Sequence, residues 1–286
     1  MAGWKRFVSL LVLVLVMVGN ALPVMAAEID SQEFKQQKLK FMFVKLLWEN
    51  WPHKDSGYEI KWGGSTHKTI AGEVGRAMGI GDPYLTTFRE YSVKPDEEDS
   101  MWWPPWCPDR LCKHVYDPEL HFGSAPQACS EKAWDAISNY RQGKLREAYQ
   151  ELGRAAHYLM DVGNPYHSNL EGDPHTNKLK HDFYEKYVEG NIQKLGLDTI
   201  AYSAPKITIT NPYTAVEELA SFSRMYKYSL DSAIGVRCNF YDPTGVCLEW
   251  EAYAVDEALI KMVAKTMIQK TAGYTKGLIE YFERNN

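Results

Sequence analysis

Between Lys144 and Val162 the apolar residues Leu145, Ala148, Tyr149, Leu152, Ala155, Ala156 and Leu159 recur at steps of three and four. That period lines one face of an α-helix, and so continuous a face has to be buried against other elements. The surrounding sequence offers mainly further helices for the purpose. Glu131 to Gln142 reads as a helix with Ser130 as N-cap and Gly143 as its stop. Thr66 to Met78 is another, and Thr176 to Leu195 a third that ends at Gly196. Thr214 followed by Glu217 is a capping-box signature opening a helix to about Ile234. Glu251 to Thr271 and a terminal stretch to Phe282 complete the series. Only Lys206 to Thr210 alternates like a strand, and it is too short to organise a sheet. The expected fold class is all-α.

Asp82 to Pro126 breaks this regularity. The segment is rich in Pro and Trp and shows no convincing helix beyond its start. An irregular stretch of that length inside a domain tends to carry function. Its Trp102, Trp103 and Trp106 read chiefly as packing of a disulfide-tied loop, with contact to a lipid surface as the alternative. Cys107 and Cys112 flank a short loop, and Cys238 and Cys247 flank the turn Asp242-Pro243-Thr244-Gly245, leaving Cys129 odd. Pairing of Cys112 with Cys129 stays open, because connectivity cannot be read from spacing.

The first 26 residues have the make-up of a signal peptide: Lys5 and Arg6, an apolar run from Phe7 to Val18, then Val24-Met25-Ala26. A spanning helix wants about 20 apolar residues, and Asn20 and Pro23 interrupt this run too early. Cleavage near Ala26 and secretion or placement in the cell envelope are expected, which suits cysteine pairing. Residues 27–61 then form a helical appendage or a pro-segment, and residues 62–286 the main domain. The net charge of −5 is spread out. A nucleic-acid binder would leave a basic patch, so stable nucleic-acid binding is not expected. An enzyme taking anionic substrates is still compatible, since bound cations add charge that residue counting misses.

The chemistry-bearing signal begins at His157. In His157-Tyr-Leu-Met-Asp161-Val-Gly-Asn-Pro165-Tyr-His167 a histidine and a carboxylate stand four apart at a helix end. Such a pair shares a helix face, so both side chains can reach one cation. Pro165 then breaks the helix and lets His167 turn back. Fourteen residues on, His181 and Glu185 repeat the spacing. A single pair of this kind is usually a solvated surface pair. Two pairs with a histidine between them, in a chain with eight histidines, read as a metal site built in a helical core. His53, His121 and His175 fall outside the pattern and read as surface or structural residues.

This string, in residue type and spacing, resembles the signature of the bacterial zinc-dependent phospholipase C family, which is related to the single-strand-specific zinc nucleases. The resemblance implies Zn2+ as cofactor, two or three ions, with His157, Asp161, His167, His181 and Glu185 among the ligands. It places Asp161 as a carboxylate bridging two ions, and His167, His181 and Glu185 on a more separate one. His114, in His114-Val-Tyr-Asp-Pro-Glu, and His67 match two further ligands. Asp96, in Lys94-Pro95-Asp96, matches the family's aspartate, which both holds metal and orients the attacking water; Asp99 is the runner-up. Trp62 stands five residues before His67, a spacing like that of the nucleases, in which the mature N-terminal tryptophan binds zinc through its backbone. Cleavage before Trp62 would complete the site; the alternative is that Trp62 is an ordinary core aromatic. Three departures accompany the match: Met160 where a small residue is usual, Gly163 in place of a polar residue, and Asn169 one place early.

The resulting expectation is a secreted zinc-dependent phosphodiester hydrolase, with phospholipid as substrate and peripheral contact with a membrane surface. A nuclease of the related branch and a non-catalytic zinc-binding protein are the alternatives. The chain shows no C-terminal β-rich lipid-binding module like that of the family's toxin members, so a membrane-lysing toxin is not expected.

Overall fold

The structure, a computed structural model, describes residues 64–99 and 109–286. The expected signal peptide, the segment 27–61, His53, Trp62, the tryptophans 102, 103 and 106, and Cys107 lie outside the described residues. No described helix is long and apolar enough to cross a membrane. The fold is all-α, with one two-stranded antiparallel ribbon among the described residues.

In chain order the elements are α1 (Gly64–Ala77), α2 (Tyr84–Tyr91), α3 (Pro95–Glu98), α4 (Asp109–Cys112), α5 (Ala125–Arg141), α6 (Leu145–Asp161) and α7 (Pro165–Ser168). These are followed by α8 (Pro174–Gly190), α9 (Ile192–Leu195), α10 (Leu197–Ser203), α11 (Pro212–Arg224), α12 (Lys227–Ala233), β1 (Ile234–Tyr241), β2 (Cys247–Ala254) and α13 (Glu257–Asn285).

Helix α6 sits at the centre, as its apolar period requires. Leu152, Ala155, Ala156, Leu159 and Met160 are fully buried, and the helix packs on α2, α5 and α13. Two glycines set its spacing. A Cβ on Gly153 would lie 2.6 Å from the Phe88 carbonyl oxygen, so α2 can approach this closely only because none is there. A Cβ on Gly163 would fall 2.1 Å from Thr271 Oγ1 of α13, which accounts for the small residue at that turn.

Several expected boundaries move. Helix α5 begins at Ala125, not after Ser130, with Pro126 in its first turn, a place where proline's missing N–H costs nothing. The helix expected over Thr176 to Leu195 starts at Pro174, capped by Asp173, whose side chain accepts from Thr176 N at 2.8 Å, and it breaks at Asn191. Gly196 ends α9 in the left-handed region at φ 64°. The cap of α11 is Asn211, which accepts from Tyr213 N at 2.8 Å, rather than Thr214, and the helix to Ile234 is divided into α11 and α12. Helix α13 starts at Glu257 rather than Glu251, because residues 251–254 belong to β2. Lys206 to Thr210 is no strand: it runs across α13, with Ile207 N donating to Gly273 O at 3.0 Å. Gly277 makes room there, since a Cβ on it would meet the Ile207 carbonyl oxygen at 2.0 Å.

The ribbon is closed by the Cys238–Cys247 disulfide, at the expected turn. Cys112 is also disulfide-bonded, and Cys129 is a buried free thiol, which removes the Cys112–Cys129 alternative.

Candidate metal centre

Of the nine residues singled out in the sequence, all but Trp62 are described, and each of these is at most 5% exposed. Ionisable side chains are almost never so buried unless paired. Helix α6 brings His157 and Asp161 to its C-terminal end. The ring of His157 is held from outside: Nδ1 donates to the Ser92 carbonyl at 2.8 Å, at the end of the α2 segment that Gly153 admits. A carbonyl only accepts, so in the neutral ring Nε2 presents its lone pair inward.

His114, on the loop after α4, points Nδ1 to the same place, 2.7 Å from Asp161 Oδ2 and 3.0 Å from His157 Nε2. Its Nε2 faces Asp99 Oδ2 at 3.1 Å. The two aspartates considered in the sequence therefore take different positions. Asp96, on α3, has Oδ1 3.7 Å from both His114 Nδ1 and His157 Nε2, on the inner side. Asp99 lies behind His114, where Tyr158 Oη also donates to it at 2.8 Å and Lys113 Nζ at 3.2 Å. Asp161 turns Oδ2 to His114 and His157, and Oδ1 to His67 Nε2 at 3.2 Å. One carboxylate thus faces two sets of imidazoles.

Beside this cluster is a second. Pro165 opens α7, whose N-cap Asn164 accepts from Tyr166 N, and His167 follows. Its Nδ1 donates to the His114 carbonyl at 2.9 Å, and the Tyr116 amide donates back to the His167 carbonyl at 3.0 Å. His167 Nε2 then lies 2.8 Å from His181 Nε2 and 3.4 Å from Glu185 Oε1. On α8, His181 Nδ1 faces Asp182 Oδ1 at 3.1 Å, and its Nε2 is 2.8 Å from Glu185 Oε1. Asn164 Nδ2 donates to that same oxygen at 3.0 Å.

In three triads, His67–His157–Asp161, Asp96–His114–His157 and His167–His181–Glu185, one donor atom from each residue lies within 4.8 Å of the others. The electrostatics follow from the crowding. Burial pushes His114 and His181 down, but the carboxylates beside them win and lift them to about 10 and about 9. His157 moves up for the same reason. Asp161 is driven up by burial, yet His157 and His114 hold it well below the usual carboxylate range. Asp96 ends above its ordinary value: burial raises it, His157 opposes, and Asp161 repels. Facing nitrogen lone pairs at 2.8 and 3.0 Å beside carboxylates are stable only with a cation among them, proton or metal. Imidazole and carboxylate donors without thiolate are a set that zinc accepts, so the residues fit that ion.

The outer partners of the imidazoles were not legible as such. Ser92 acts through its backbone and leaves no sequence signal. Asp182 was visible only as the neighbour of His181, and Asn164 only as part of the His157–His167 string. His121 has φ 47°, and His175 meets the Trp250 ring edge-on at 5.7 Å; neither joins a triad.

No family model matches this sequence, and no curated protein does. Among solved structures, the alpha-toxin of Clostridium perfringens avian strain SWCP is similar, with a TM-score of 0.53 at 15% identity over 79% of this chain and 65% of that one. The alpha toxin of Clostridium absonum gives 0.53 at 16% identity, over 79% and 66%. The chain thus spans just under two thirds of the length of either toxin. At this identity the likeness establishes the fold.

Proposed function

We propose that this protein is a zinc-dependent phosphodiester hydrolase of the phospholipase C type. The observation that carries the reading is the direction of the imidazoles. His157, His167 and His181 each have Nδ1 on an outer acceptor and Nε2 facing buried carboxylates. Such outer hydrogen bonds orient metal-bound histidines and raise their basicity. The helical fold shared with the two alpha-toxins and the family resemblance of the motif support the same conclusion.

In this reading His67, His157 and Asp161, with Asp96 and His114 beside them, would hold two zinc ions, and His167, His181 and Glu185 would hold a third. Zinc held there would supply Lewis acidity for the phosphodiester oxygens and a water made acidic near neutral pH. The chain's own residues do the rest. Asp96, on the inner side beside His114 and His157, is placed to orient the attacking water. Asp99, Ser92 and Asp182 keep the rings from turning away. The apolar packing of α6 excludes bulk water behind the site, which strengthens every charge interaction in it.

Phospholipid is the preferred substrate because the protein carries net negative charge and no basic run, which disfavours a polyanionic strand. The test is hydrolysis by the zinc-loaded, mature protein of phosphatidylcholine against single-stranded DNA, alongside a generic phosphodiester. Turnover of the lipid is expected. Cleavage of DNA alone would assign the chain to the nuclease branch, and bound zinc with no turnover of any diester would make the metals structural.

A further inference from the structure

The β1–β2 ribbon presents a concentration of apolar surface. Phe240, Tyr241, Val246 and Leu248 flank the Asp242–Gly245 turn and are each more than half exposed, at 57%, 59%, 57% and 51%. Trp250, one step further along β2, is 44% exposed. Single exposed apolar side chains are ordinary, whereas a group at the end of one element marks an interaction surface. Two strands alone are marginal in water. Here the Cys238–Cys247 disulfide closes the ribbon, Ile234 anchors its base in the core, and both strands pack against α8, so its tip can stand clear of the rest of the fold.

We propose that this ribbon docks the protein on a zwitterionic phospholipid surface. Its charge selects that occupant. Arg237 is the one cation between residues 234 and 255 and is paired with Glu251, Nη2 to Oε2 at 2.8 Å, while Asp242 and Glu249 add negative charge. An anionic bilayer recruits proteins through lysine and arginine clusters, and the ribbon has none. Trp and Tyr, each an apolar ring with one polar atom, are the side chains that settle at the boundary between lipid and water. The turn is also prepared for a drier medium. Asp242 Oδ1 accepts from the amides of Thr244 and Val246, both at 2.8 Å, and from the Thr244 hydroxyl at 2.7 Å. The amides of the turn are thereby satisfied before it approaches the lipid, while the charged Asp242 carboxylate stays at the level of the headgroups. Both strands pack against α8, the helix of His181 and Glu185, so a docked ribbon would be fixed to an element of the candidate centre. Only the purpose of this docking rests on the phospholipid reading; the docking itself does not.

The test is co-sedimentation of the full chain with phosphatidylcholine vesicles, for wild type and for a Phe240→Ser/Leu248→Ser double variant. Wild type is expected to partition to the vesicles without sensitivity to salt. The double variant should lose more than about tenfold in partition, since two large apolar side chains no longer leave water. Turnover of a soluble diester, bis(4-nitrophenyl) phosphate, should stay unchanged. Val246→Trp, which adds an interfacial aromatic and removes nothing, should bind more tightly, so the outcome does not depend on the double variant folding. Wild type that ignores the vesicles, variants that partition equally, preference for phosphatidylglycerol that salt abolishes, or a ribbon-dependent dimer in sedimentation velocity without vesicle binding each overturns the proposal. Ribbon-dependent binding without hydrolysis of phosphatidylcholine leaves docking intact and sinks the substrate reading. Hydrolysis with ribbon-independent binding does the reverse.

Discussion

A histidine ring has two nitrogens, and the partner of one decides what the other can offer. The Asp99 carboxylate behind His114 is therefore expected to matter although it faces away from the triads. Asp99→Ala should weaken zinc by about 10–100-fold, the usual effect of losing such a partner. Chelator competition measures it, with circular dichroism to check the fold, and an unchanged affinity would make Asp99 a packing residue only. The same geometry sets the pH behaviour of the chelated protein. His114 and His181 reach about 10 and about 9 when folded, above the ordinary histidine value near 6.5. Their contribution to stability is then fully present below about pH 6.5 and lost as pH rises through about 9 to 10. Asp161 acts in the opposite sense: its contribution is present above the ordinary carboxylate range and lost as pH falls through its depressed folded value. Thermal melts in chelator should fall between pH 7 and 10; a rise would contradict these assignments. His157 with Asp161 and His181 with Glu185 were readable because i and i+4 spacing on a helix fixes which side chains share a face, and His167 because Pro165 turns the chain back. His67, His114 and Asp96 came from the family resemblance alone. Asp96 and Asp99 could not be separated that way, since both follow a proline turn whose direction only the fold reveals.

At the scale of elements, the site depends on how closely α2 and α6 approach, and Gly153 sets that distance. Gly153→Ala puts a Cβ 2.6 Å from the Phe88 carbonyl oxygen, and overpacking of this kind costs about 1–3 kcal/mol. The shift moves Ser92 away from His157, so both the melting temperature and the zinc affinity should drop. A loss of stability with zinc affinity intact would show that Ser92 is not needed to aim the ring. Helix α6 was legible nearly to the residue because its apolar face is continuous. The ribbon was not. Its turn and disulfide were read correctly, but the sequence leading to Ile234 continues a helical period, and this masked the alternation of Val236, Cys238 and Phe240. The break between α11 and α12, at Met225 and Tyr226, interrupts a period with no proline or glycine to mark it. At Asn191 a glycine, Gly190, does stand at the break, but the apolar period runs on through Ile192 and Leu195 to Gly196.

Across the whole molecule, eight buried ionisable side chains at the heart of a helical fold are tolerable only with cations among them. Removing metal should therefore destabilise the protein globally. A ligand at about a thousand times its dissociation constant stabilises the folded state by about 4 kcal/mol, and a chain of this size moves its melting point by about 2–4 °C for each kcal/mol. Melts with and without chelator at pH 7 should differ by several degrees or more, and excess zinc should restore the original value. The most direct measurement is anomalous diffraction at the zinc edge from crystals of the zinc-loaded protein, wild type and Asp161→Asn. Wild type should give one peak among His167, His181 and Glu185 and further density beside Asp161, and the variant should keep the first and lose the second. Absence of any anomalous peak within reach of these side chains would contradict the account.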